Sequence, residues 1–434
     1  MERFSTAAVA ARVNGILDAA SFEPLTRGEL ATTLMAGSGR LGGERVWIAA
    51  TDPSRARGAL GAGEAEALCA LFRAARREPH PLLLLIDSAG ANVDEGVAAL
   101  GAFRWLFREA LLTRLAGVPM MALLGKSCFG GASMLACVSG QRLYSSETLL
   151  AVSGPGVIEA LGGKGELNAG DRDEVRALMG GAVRVLLGTS ESLAPDTVID
   201  FRDHAVRWLR ESEVVNAARD LMVQHSQLGQ RLRQGEAGST PPAAQLDLSI
   251  RRLGRLVYPG QQIVGRGHVC MALPPVGSNE PAFLGVLSGG AVGADACWQM
   301  ADALLDLHRS NPMSPVVLLL DASGHACTRR DEALLLSTYL AHLSLVACWV
   351  AEQGHDLSSW LPGAAAGAVY VAFAAPAEHV LALKSSRIRI LPEVAVRQIL
   401  GASAEERVDA SVLLGTRVID GLLDPRLENY ADES

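Results

Sequence analysis

Two adjacent glycines, Gly130 and Gly131, follow a short polar loop and precede the apolar run ASMLACVSG. The first N–H groups of a helix have no acceptor within the helix, and the helix dipole places partial positive charge at that end. Glycine also lets a ligand oxygen approach the backbone closely. The pair is therefore consistent with close packing in a tight turn or with backbone N–H groups that bind an anion.

A second glycine-bearing loop, SAGANVDEG, follows Asp87 and contains Gly90. Both loops come directly after apolar segments of strand length. Ligands of parallel sheets commonly bind where the strands end. Two N–H groups from these loops could converge on one carbonyl oxygen and stabilise it as an oxyanion.

An internal repeat in the sequence indicates the fold that must position these loops. PLLLLIDSAGANVDEGVAALG resembles PVVLLLDASGHACTRRDEALLL, which places Asp87 and Asp321 234 residues apart. CFGGASMLACVSGQRLYS resembles AAAGAVYVAFAAPAEHVLAL and pairs Gly131 with Gly367, whereas SGPGVIEALG resembles ILPEVAVRQILG. Three blocks in the same order predict two copies of one fold.

Each copy is predicted to be an α/β unit. In the first copy we predict a strand in RVWIAATD, helices over 63–77 and 95–116, and strands over 82–87 and 118–124. Continuous apolar strands that alternate with helices are typical of a mainly parallel sheet covered by helices. An amphipathic helix over about 203–222 is predicted to precede the Gly-, Pro-, Gln- and Ser-rich segment 225–248. We therefore expect domains over 1–224 and 249–434 with a linker over 225–248.

Composition limits the possible functions. The chain has 434 residues, of which 49% are hydrophobic and 20% charged, and this balance is typical of a globular protein. The net charge of −8 argues against nucleic acid as a partner. The seven Cys form no C-x-x-C pair and the His show no ligand spacing, so we predict no metal site. The apolar stretches 118–138 and 361–383 are interrupted by polar residues, so we expect a cytoplasmic protein without membrane spans.

Two glycine motifs do not fit nucleotide binding. GSGRLG over 37–42 leads into a strand instead of following one, which predicts a hairpin turn and not a dinucleotide site. GKS over 125–127 has Met120 where a P-loop requires glycine.

The combined motifs resemble a known family. LLLIDSAGANVDE, GKSCFGGASMLA and SGPGVIEALGG resemble the beta subunit of biotin-independent malonate decarboxylase, in the carboxyltransferase branch of the crotonase superfold. DASGHACTRRDE and AAAGAVYVAFAAPAEHVLAL resemble the gamma subunit. The resemblance runs from about residue 30 to about 420. It implies a beta–gamma fusion of two tandem crotonase-like domains that together shape one active site.

This resemblance also implies an activity. A malonyl thioester, carried on acyl carrier protein or coenzyme A, loses CO2 through an enolate and becomes the acetyl thioester. The expected enzyme is a carboxy-lyase with no tightly bound cofactor, because the thioester itself accepts the electrons. The expected partners are the acyl carrier protein or coenzyme A thioester, further decarboxylase subunits and other copies of the chain.

The resemblance assigns the oxyanion hole to Gly130 and Gly131, with Gly90 nearby, and gives Gly367 the equivalent position in the second half. His325 could donate the proton, or it could be a loop histidine that bonds the backbone. The residues expected to contact substrate are Ala89, Lys126, Phe129, Ser153, Glu159, Ala366, Arg329 and Arg330.

Four of these side chains have simpler explanations. Arg329 and Arg330 could form ion pairs on a helix surface, and Glu159 could be a carboxylate at a helix start. Lys126 could be an ordinary exposed side chain.

Two other functions also fit the sequence. SGPGVIEALGGKGELNAGDRDEV and SSRIRILPEVAVRQILG depart from the family patterns around the pocket, which leaves the identity of the substrate open. The alternatives are a biotin-dependent acyl-CoA carboxyltransferase and a non-catalytic protein that binds the carrier.

Overall fold

The computed structural model describes residues 2–25, 34–188, 190–212, 216–235, 243–275, 280–391 and 410–431. The chain divides into two units. The first comprises Met1–Asp220 and Cys327–Thr338, and the second comprises Leu221–Ala326 and Tyr339–Ser434. A short segment from the second half of the sequence therefore belongs to the first unit, which the sequence pattern did not indicate.

The first unit alternates strands and helices in the order predicted from its apolar runs. Its elements are α1 Val9–Ile16, β1 Glu23–Pro24, β2 Met35–Leu41, β3 Glu44–Ala50, α2 Ala62–Arg77, β4 Leu82–Ser88, α3 Val97–Leu115, β5 Met120–Phe129, α4 Gly131–Val138, β6 Gln141–Tyr144, β7 Leu149–Ala151, α5 Pro155–Gly162, α6 Arg172–Met179, α7 Gly181–Leu187, β8 Glu191–Leu193 and α8 Val198–Glu211.

The sheet of the first unit has the strand order β1-β2-β3-β4-β5-β6-β8, and β7 pairs with the end of β5. Strands β3, β4, β5, β6 and β8 are parallel, whereas β1, β2 and β3 are antiparallel neighbours. All seven residues of β4 are buried, as expected for a central parallel strand covered on both faces. The turn predicted in GSGRLG lies at its end, because Gly37 to Leu41 continue β2 and Gly42 and Gly43 form the hairpin with positive φ.

The second unit repeats this order. Its elements are α10 Ala243–Gly254, β9 Gln262–Arg266, β10 Val269–Leu273, β11 Ala282–Val292, α11 Ala294–Ser310, β12 Val316–His325, β13 Leu357–Leu361, β14 Ala364–Ala366, α14 Gly367–Ala374, β15 His379–Ala382, β16 Arg387–Arg389, α15 Ala410–Leu413 and β17 Gly421–Leu422. Helices α9 Ala217–Gln234 and α13 Leu336–Glu352 cross a boundary between the units, and α12 Arg329–Ala333 lies in the short segment that belongs to the first unit.

The two sheets have the same topology. In the second unit the order is β17-β15-β13-β12-β11-β10-β9, again with an antiparallel hairpin at one edge and parallel strands over the rest. β16 pairs in parallel with β14, as β7 pairs with the end of β5. The fold class expected from the repeat, two tandem α/β units with mainly parallel sheets, is confirmed. Its third block falls from residue 392 onward outside the described residues.

The backbone conformation shows that one pair of glycines in the repeat was aligned one residue out of register. Gly130 and Gly367 have φ values of 57° and 52°, and each ends the turn from a strand into a helix. The structural equivalent of Gly367 is therefore Gly130, whereas the sequence pairing placed it opposite Gly131. Gly131 then corresponds to Ala368.

A buried carboxylate in a central strand occurs in both units. Asp87 accepts hydrogen bonds from the backbone N–H groups of Lys126 and Ser127 at 3.0 and 3.1 Å, and Arg12 donates to it at 3.1 Å. These contacts connect β4 to helix α1 and to Lys126 and Ser127 near the end of β5.

Asp321 makes the equivalent contacts in the second unit. It accepts from the Ala364 N–H at 2.8 Å and from Arg252 of α10 at 2.8 Å. The glycine that precedes each donating backbone N–H is required, since a Cβ on Gly125 or Gly363 would lie 2.5 or 2.2 Å from the carboxylate.

The segment assigned to a linker is helical where it is described. Helix α9 continues to Gln234 and α10 begins at Ala243, while residues 236–242 are outside the described residues. Leu221 and Leu228, seven residues apart, are both buried on α9, so an apolar face stabilises the helix despite its polar composition. Among the described residues, no helix is both long and apolar enough to cross a membrane.

We expect Asp87→Asn to destabilise the first unit by about 3 kcal/mol, because the charge of buried Arg12 would lose its partner. Asp173→Asn is the matched control, since that side chain is 98% exposed, and it should change stability by less than about 0.5 kcal/mol. Urea unfolding followed by circular dichroism measures both. Equal midpoints for the two variants would contradict the role given to the Arg12–Asp87 pair.

Candidate active site at the glycine loops

The two glycine loops of the first unit meet through their backbones. Strand β5 ends at Phe129, and Gly130 turns the chain into α4 with φ 57° and ψ −136°, a conformation that side chains disfavour. A Cβ on Gly90, whose φ is 109°, would lie 3.2 Å from the Phe129 carbonyl oxygen and 3.6 Å from the Gly130 Cα. Glycine at both positions therefore permits this close approach.

Two of the predicted donors already have acceptors. The Gly130 N–H donates to the Val152 carbonyl at 3.2 Å, and the Gly90 N–H donates to the Ser88 hydroxyl at 3.1 Å. Gly131 is the first residue of α4, so its N–H has no acceptor within the helix. Among the described residues we find no other acceptor for it, and Gly131 is half-exposed. Of these three glycines, Gly131 is the one that can bind a ligand oxygen.

The direction of the Gly131 N–H is fixed by a pair of serines. The Gly130 carbonyl accepts from the Ser133 N–H at 3.1 Å and from the Ser133 hydroxyl at 2.7 Å, and Ser337 donates to that hydroxyl at 2.9 Å. In a trans peptide the C=O and N–H point in opposite directions. Holding the Gly130 carbonyl therefore aims the Gly131 N–H before any ligand arrives.

Sequence reasoning overlooked Ser133 and Ser337. Both are hydroxyl residues inside apolar helical segments, which was the available signal.

A buried carboxylate supports the same loop from the other side. Glu332, which is 1% exposed, accepts the Ser153 N–H at 2.6 Å and the Val152 N–H at 3.4 Å. Val152 in turn accepts the Gly130 N–H. Glu332 lies in α12, within the segment that the first unit receives from the second half of the sequence. It was quoted in the sequence motif but not identified as a site residue.

Burial raises the pKa of Glu332 to about 7, because desolvation penalises its charged form more than other contacts favour it. The N–H groups of Ser153 and Val152 and the charge of buried Arg184 oppose this shift. The carboxyl group therefore keeps its proton to a higher pH than an exposed glutamate does.

Three residues that were expected to contact substrate have other roles: Arg329 and Lys126 take the simpler ones, and Glu159, which is not in the first turn of α5, takes a third. Arg329 pairs with Glu174 and donates its backbone N–H to Glu166 at 2.7 Å. Glu159 accepts the Ala169 N–H at 2.7 Å, so it braces a loop within its own segment. The Lys126 side chain is exposed, and only its backbone N–H bonds Asp87.

The remaining candidates of the first unit line or support the loops. Ala89 donates its N–H to the Arg57 carbonyl at 3.0 Å, beside Gly90. Phe129 packs against the apolar cluster that contains Ala151 and Ile158. Arg330 is half-buried in the first turn of α12, two residues before Glu332.

His325 lies in the second unit and is not a loop residue. Strand β12 continues through it, and it pairs with Val292 of β11. Burial lowers its pKa to about 4, so the imidazole is neutral at pH 7. The expectation that this group titrates near neutral pH is therefore wrong.

Gly367 and Ala366 also lie in the second unit. Both are buried, and Ala366 lines a cavity of about 410 Å³ at the ends of the strands. Among the described residues, no group of three or more His, Cys, Asp or Glu side chains could hold a metal ion.

Two family models match this chain. The carboxyl transferase domain matches residues 15–182, and the malonate decarboxylase gamma subunit matches residues 288–412. The predicted resemblance to these families is confirmed.

Curated relatives are similar over part of their length. A propionyl-CoA carboxylase carboxyltransferase subunit from Haloferax mediterranei is 32% identical over 133 residues, which cover 30% of this chain and 25% of the relative. The malonyl-S-ACP:biotin-protein carboxyltransferase of Malonomonas rubra is 30% identical over 129 residues, covering 29% of this chain and 40% of the relative. The chain thus aligns with about a quarter to two fifths of the length of these proteins.

Solved structures align over longer stretches at lower identity. A Pseudomonas malonate decarboxylase hetero-tetramer in complex with malonate has a TM-score of 0.46 and 20% identity, over 60% of this chain and 94% of the other. A transcarboxylase 12S structure has a TM-score of 0.40 and 17% identity, over 98% and 88% of the two chains.

We expect Glu332→Gln to change how stability depends on pH. The unfolded chain ionises this carboxyl near pH 4.5, whereas the folded protein holds the proton to about pH 7, so its stabilisation is lost as pH rises through that window. Between pH 5 and 8 the wild type should lose roughly 2–3 kcal/mol of unfolding free energy relative to the variant. Urea titrations at several pH values measure this difference, and parallel pH curves would contradict the raised pKa.

The glycine-loop site draws on both matched segments. Gly90, Gly131 and Ser153 lie in the part that matches the carboxyl transferase domain, whereas Glu332 and Ser337 lie in the part that matches the gamma subunit. The chain therefore contains one segment that matches the carboxyl transferase domain and a second segment that matches the malonate decarboxylase gamma subunit.

Proposed function

We propose that this protein decarboxylates a malonyl thioester to the acetyl thioester, with the thioester carried on acyl carrier protein or coenzyme A. The single observation that carries the proposal is the Gly131 N–H, which has no acceptor among the described residues and is aimed by the Gly130 carbonyl and Ser133. Such a donor suits a reaction in which negative charge develops on one oxygen.

The chemistry follows from where the electrons go. When the C–C bond to the carboxylate breaks, CO2 leaves and the electron pair forms an enolate whose charge lies on the thioester oxygen. A fixed backbone donor at that oxygen lowers the barrier by roughly 3–4 kcal/mol. The amino end of α4 adds partial positive charge at the same place. The thioester is the electron sink, so the proposal includes no tightly bound cofactor.

Several residues act through the donor and not on the substrate. Ser133 and Ser337 fix the peptide that bears the N–H, and Glu332 holds the Val152–Ser153 backbone that accepts from Gly130. The new carbanion must then take up a proton. We assign no acid role to His325, because a neutral imidazole with a pKa of about 4 supplies few protons at pH 7.

The comparisons support the substrate class. The gamma-subunit match points to malonate chemistry, and the named relatives act on propionyl-CoA or on malonyl-S-ACP. We extend this to the partners, which would be an acyl carrier protein or coenzyme A thioester, further decarboxylase subunits and other copies of this chain.

A second candidate is carboxyl transfer to biotin. The Malonomonas rubra relative is named as a carboxyltransferase from malonyl-S-ACP to a biotin protein. In this chain such a transfer would use the Gly131 N–H as its oxyanion donor. In that reaction the CO2 equivalent is captured by biotin and does not leave as gas. A non-catalytic carrier-binding protein is the third alternative.

The deciding experiment incubates the pure chain with malonyl-CoA and, separately, with malonyl acyl carrier protein, and follows the masses of the thioesters. We expect the acetyl thioester to form without biotin, and avidin should change nothing. Turnover only after addition of a biotin carrier would favour the transferase. No turnover with either thioester, together with carrier binding, would favour the non-catalytic alternative.

We expect Gly131→Pro to lower kcat about 100-fold or more below Gly131→Ala. Both variants add a Cβ, which would lie about 2.7 Å from the Phe103 ring, but only proline removes the N–H. Proline is well tolerated at the first position of a helix, so the pair isolates the donor. Acetyl thioester formation measures kcat, and equal rates in the two variants would show that the Gly131 N–H does not act.

A further inference from the structure

Two histidines of the second unit form a direct hydrogen bond from ring to ring. Nδ1 of His225, on α9, lies 3.1 Å from Nε2 of His342, on α13, and the ring centroids are 5.3 Å apart. His342 is 1% exposed, whereas His225 is half-buried. Both residues belong to the second unit, so this bond joins α9 to α13 within one compact body.

The outer nitrogen of each ring also has a partner. His225 Nε2 lies 3.3 Å from the carboxylate of Asp302 on α11. His342 Nδ1 lies 3.2 Å from the side-chain oxygen of Gln224 on α9. All four ring nitrogens are therefore engaged in one chain of hydrogen bonds that runs from Asp302 to Gln224.

This chain limits how many hydrogens the two rings can carry. A carboxylate only accepts, so His225 Nε2 keeps its hydrogen, and one hydrogen fits between the two facing nitrogens. The Gln224 amide accepts from His342 through its oxygen, or donates to it through its NH2 group when the amide is turned over. The rings thus hold two hydrogens when neutral and three with one positive charge. A fourth would set two N–H groups against each other across 3.1 Å.

His225 also carries much of the packing of α9. Trp298 of α11 stacks on its ring with the planes 9° apart and donates its Nε1–H to the His225 carbonyl at 3.1 Å. Gly229 packs against the same indole, where a Cβ would lie 2.8 Å from the ring. Tyr339 of α13 donates to the Leu228 carbonyl at 3.0 Å. Helix α9 is therefore held on α11 and α13 within one turn on either side of this contact.

The charged groups around His225 partly cancel one another. Asp302 and Asp306 of α11 favour a charged ring, whereas Arg309 of the same helix disfavours it. Both carboxylates are also paired with Arg266 of β9, at 2.8 and 3.3 Å. The surroundings can therefore compensate one positive charge on the pair but offer little for a second.

Burial disfavours the charged form of both rings. It lowers the pKa of His225, and it lowers the pKa of His342 to about 3, where the nearby His225 adds to the effect. Once released, each ring would have a pKa near its ordinary value of 6.5. The docked state thus binds fewer protons than the released state. The free energy that holds α9 is therefore fully present above about pH 6.5 and decreases as the pH falls below it.

We propose that the His225–His342 pair is an acid-sensitive contact that holds α9 on α11 and α13 near neutral pH and releases it when both rings take up protons. Release separates the two facing N–H groups and lets each imidazolium bond water. This inference does not rest on the proposed function, since none of these residues belongs to the glycine loops.

The test is hydrogen–deuterium exchange of the full chain, followed by mass spectrometry at pH 7 and pH 5, with rates divided by those of an unstructured peptide at the same pH. In the wild type the protection of α9 should fall about tenfold or more, because release takes up at least one proton that the docked pair lacks. Helix α14, which contains no histidine, should keep its protection and serves as the internal reference.

A histidine variant separates this contact from general acid effects. His342→Gln should remove most of the pH dependence of α9, because an amide can still bond His225 but does not titrate. His379→Gln is the matched control, since this exposed histidine lies on β15, and it should respond as the wild type does. His225→Gln repeats the test from the other ring if His342→Gln loses its circular dichroism spectrum.

The outcomes divide clearly. Loss of protection in α9 alone, abolished in His342→Gln and retained in His379→Gln, supports the proposal. Equal pH responses in the wild type and His342→Gln overturn it. Unchanged protection of α9 in the wild type between pH 7 and pH 5 also overturns it, as does a joint loss in α9 and α14, which would be unfolding of the whole unit.

Discussion

A buried carboxylate in the central strand of each unit fixes the position of the neighbouring strand and of the turn that follows it. Asp87 and Asp321 each bond the backbone of the next strand and an arginine from a preceding helix. A buried charge is costly unless it is fully bonded, so this contact strongly favours a single position of the next strand. The turn from β5 into α4 and the turn from β14 into α14 both follow from that position.

The turn at Gly130, which follows strand β5, orients the Gly131 N–H as a hydrogen-bond donor. Gly130 supplies a turn with positive φ, its carbonyl is held by Ser133, and the peptide geometry aims the next N–H away from that carbonyl. The hydrogen bonds that orient this donor are made within the folded protein and not by the ligand. The free energy needed to orient the N–H is therefore spent during folding and not during the reaction. For this reason a single N–H can lower the reaction barrier strongly.

Local pattern and repetition were sufficient to predict the two α/β units and the meeting of the Gly90 and Gly130 loops. They were not sufficient to show which N–H is free, because the acceptors of Gly90 and Gly130 are Ser88 and Val152, and the Val152 contact depends on a distant turn. Glu332 was missed for the same reason, since its bond to Ser153 spans 179 residues. The neutral state of His325 follows from burial, which no local motif reports.

The segment Cys327–Thr338 belongs to the first unit although it lies in the second half of the sequence. The first unit therefore needs part of the second repeat to be complete. A polypeptide severed between the two repeats would leave its amino-terminal piece without Glu332, and the Val152 and Ser153 amides would lose their acceptor. Separate pieces would have to recombine to restore the glycine loops. Covalent continuity therefore guarantees one-to-one stoichiometry between the donor and the carboxylate that braces it.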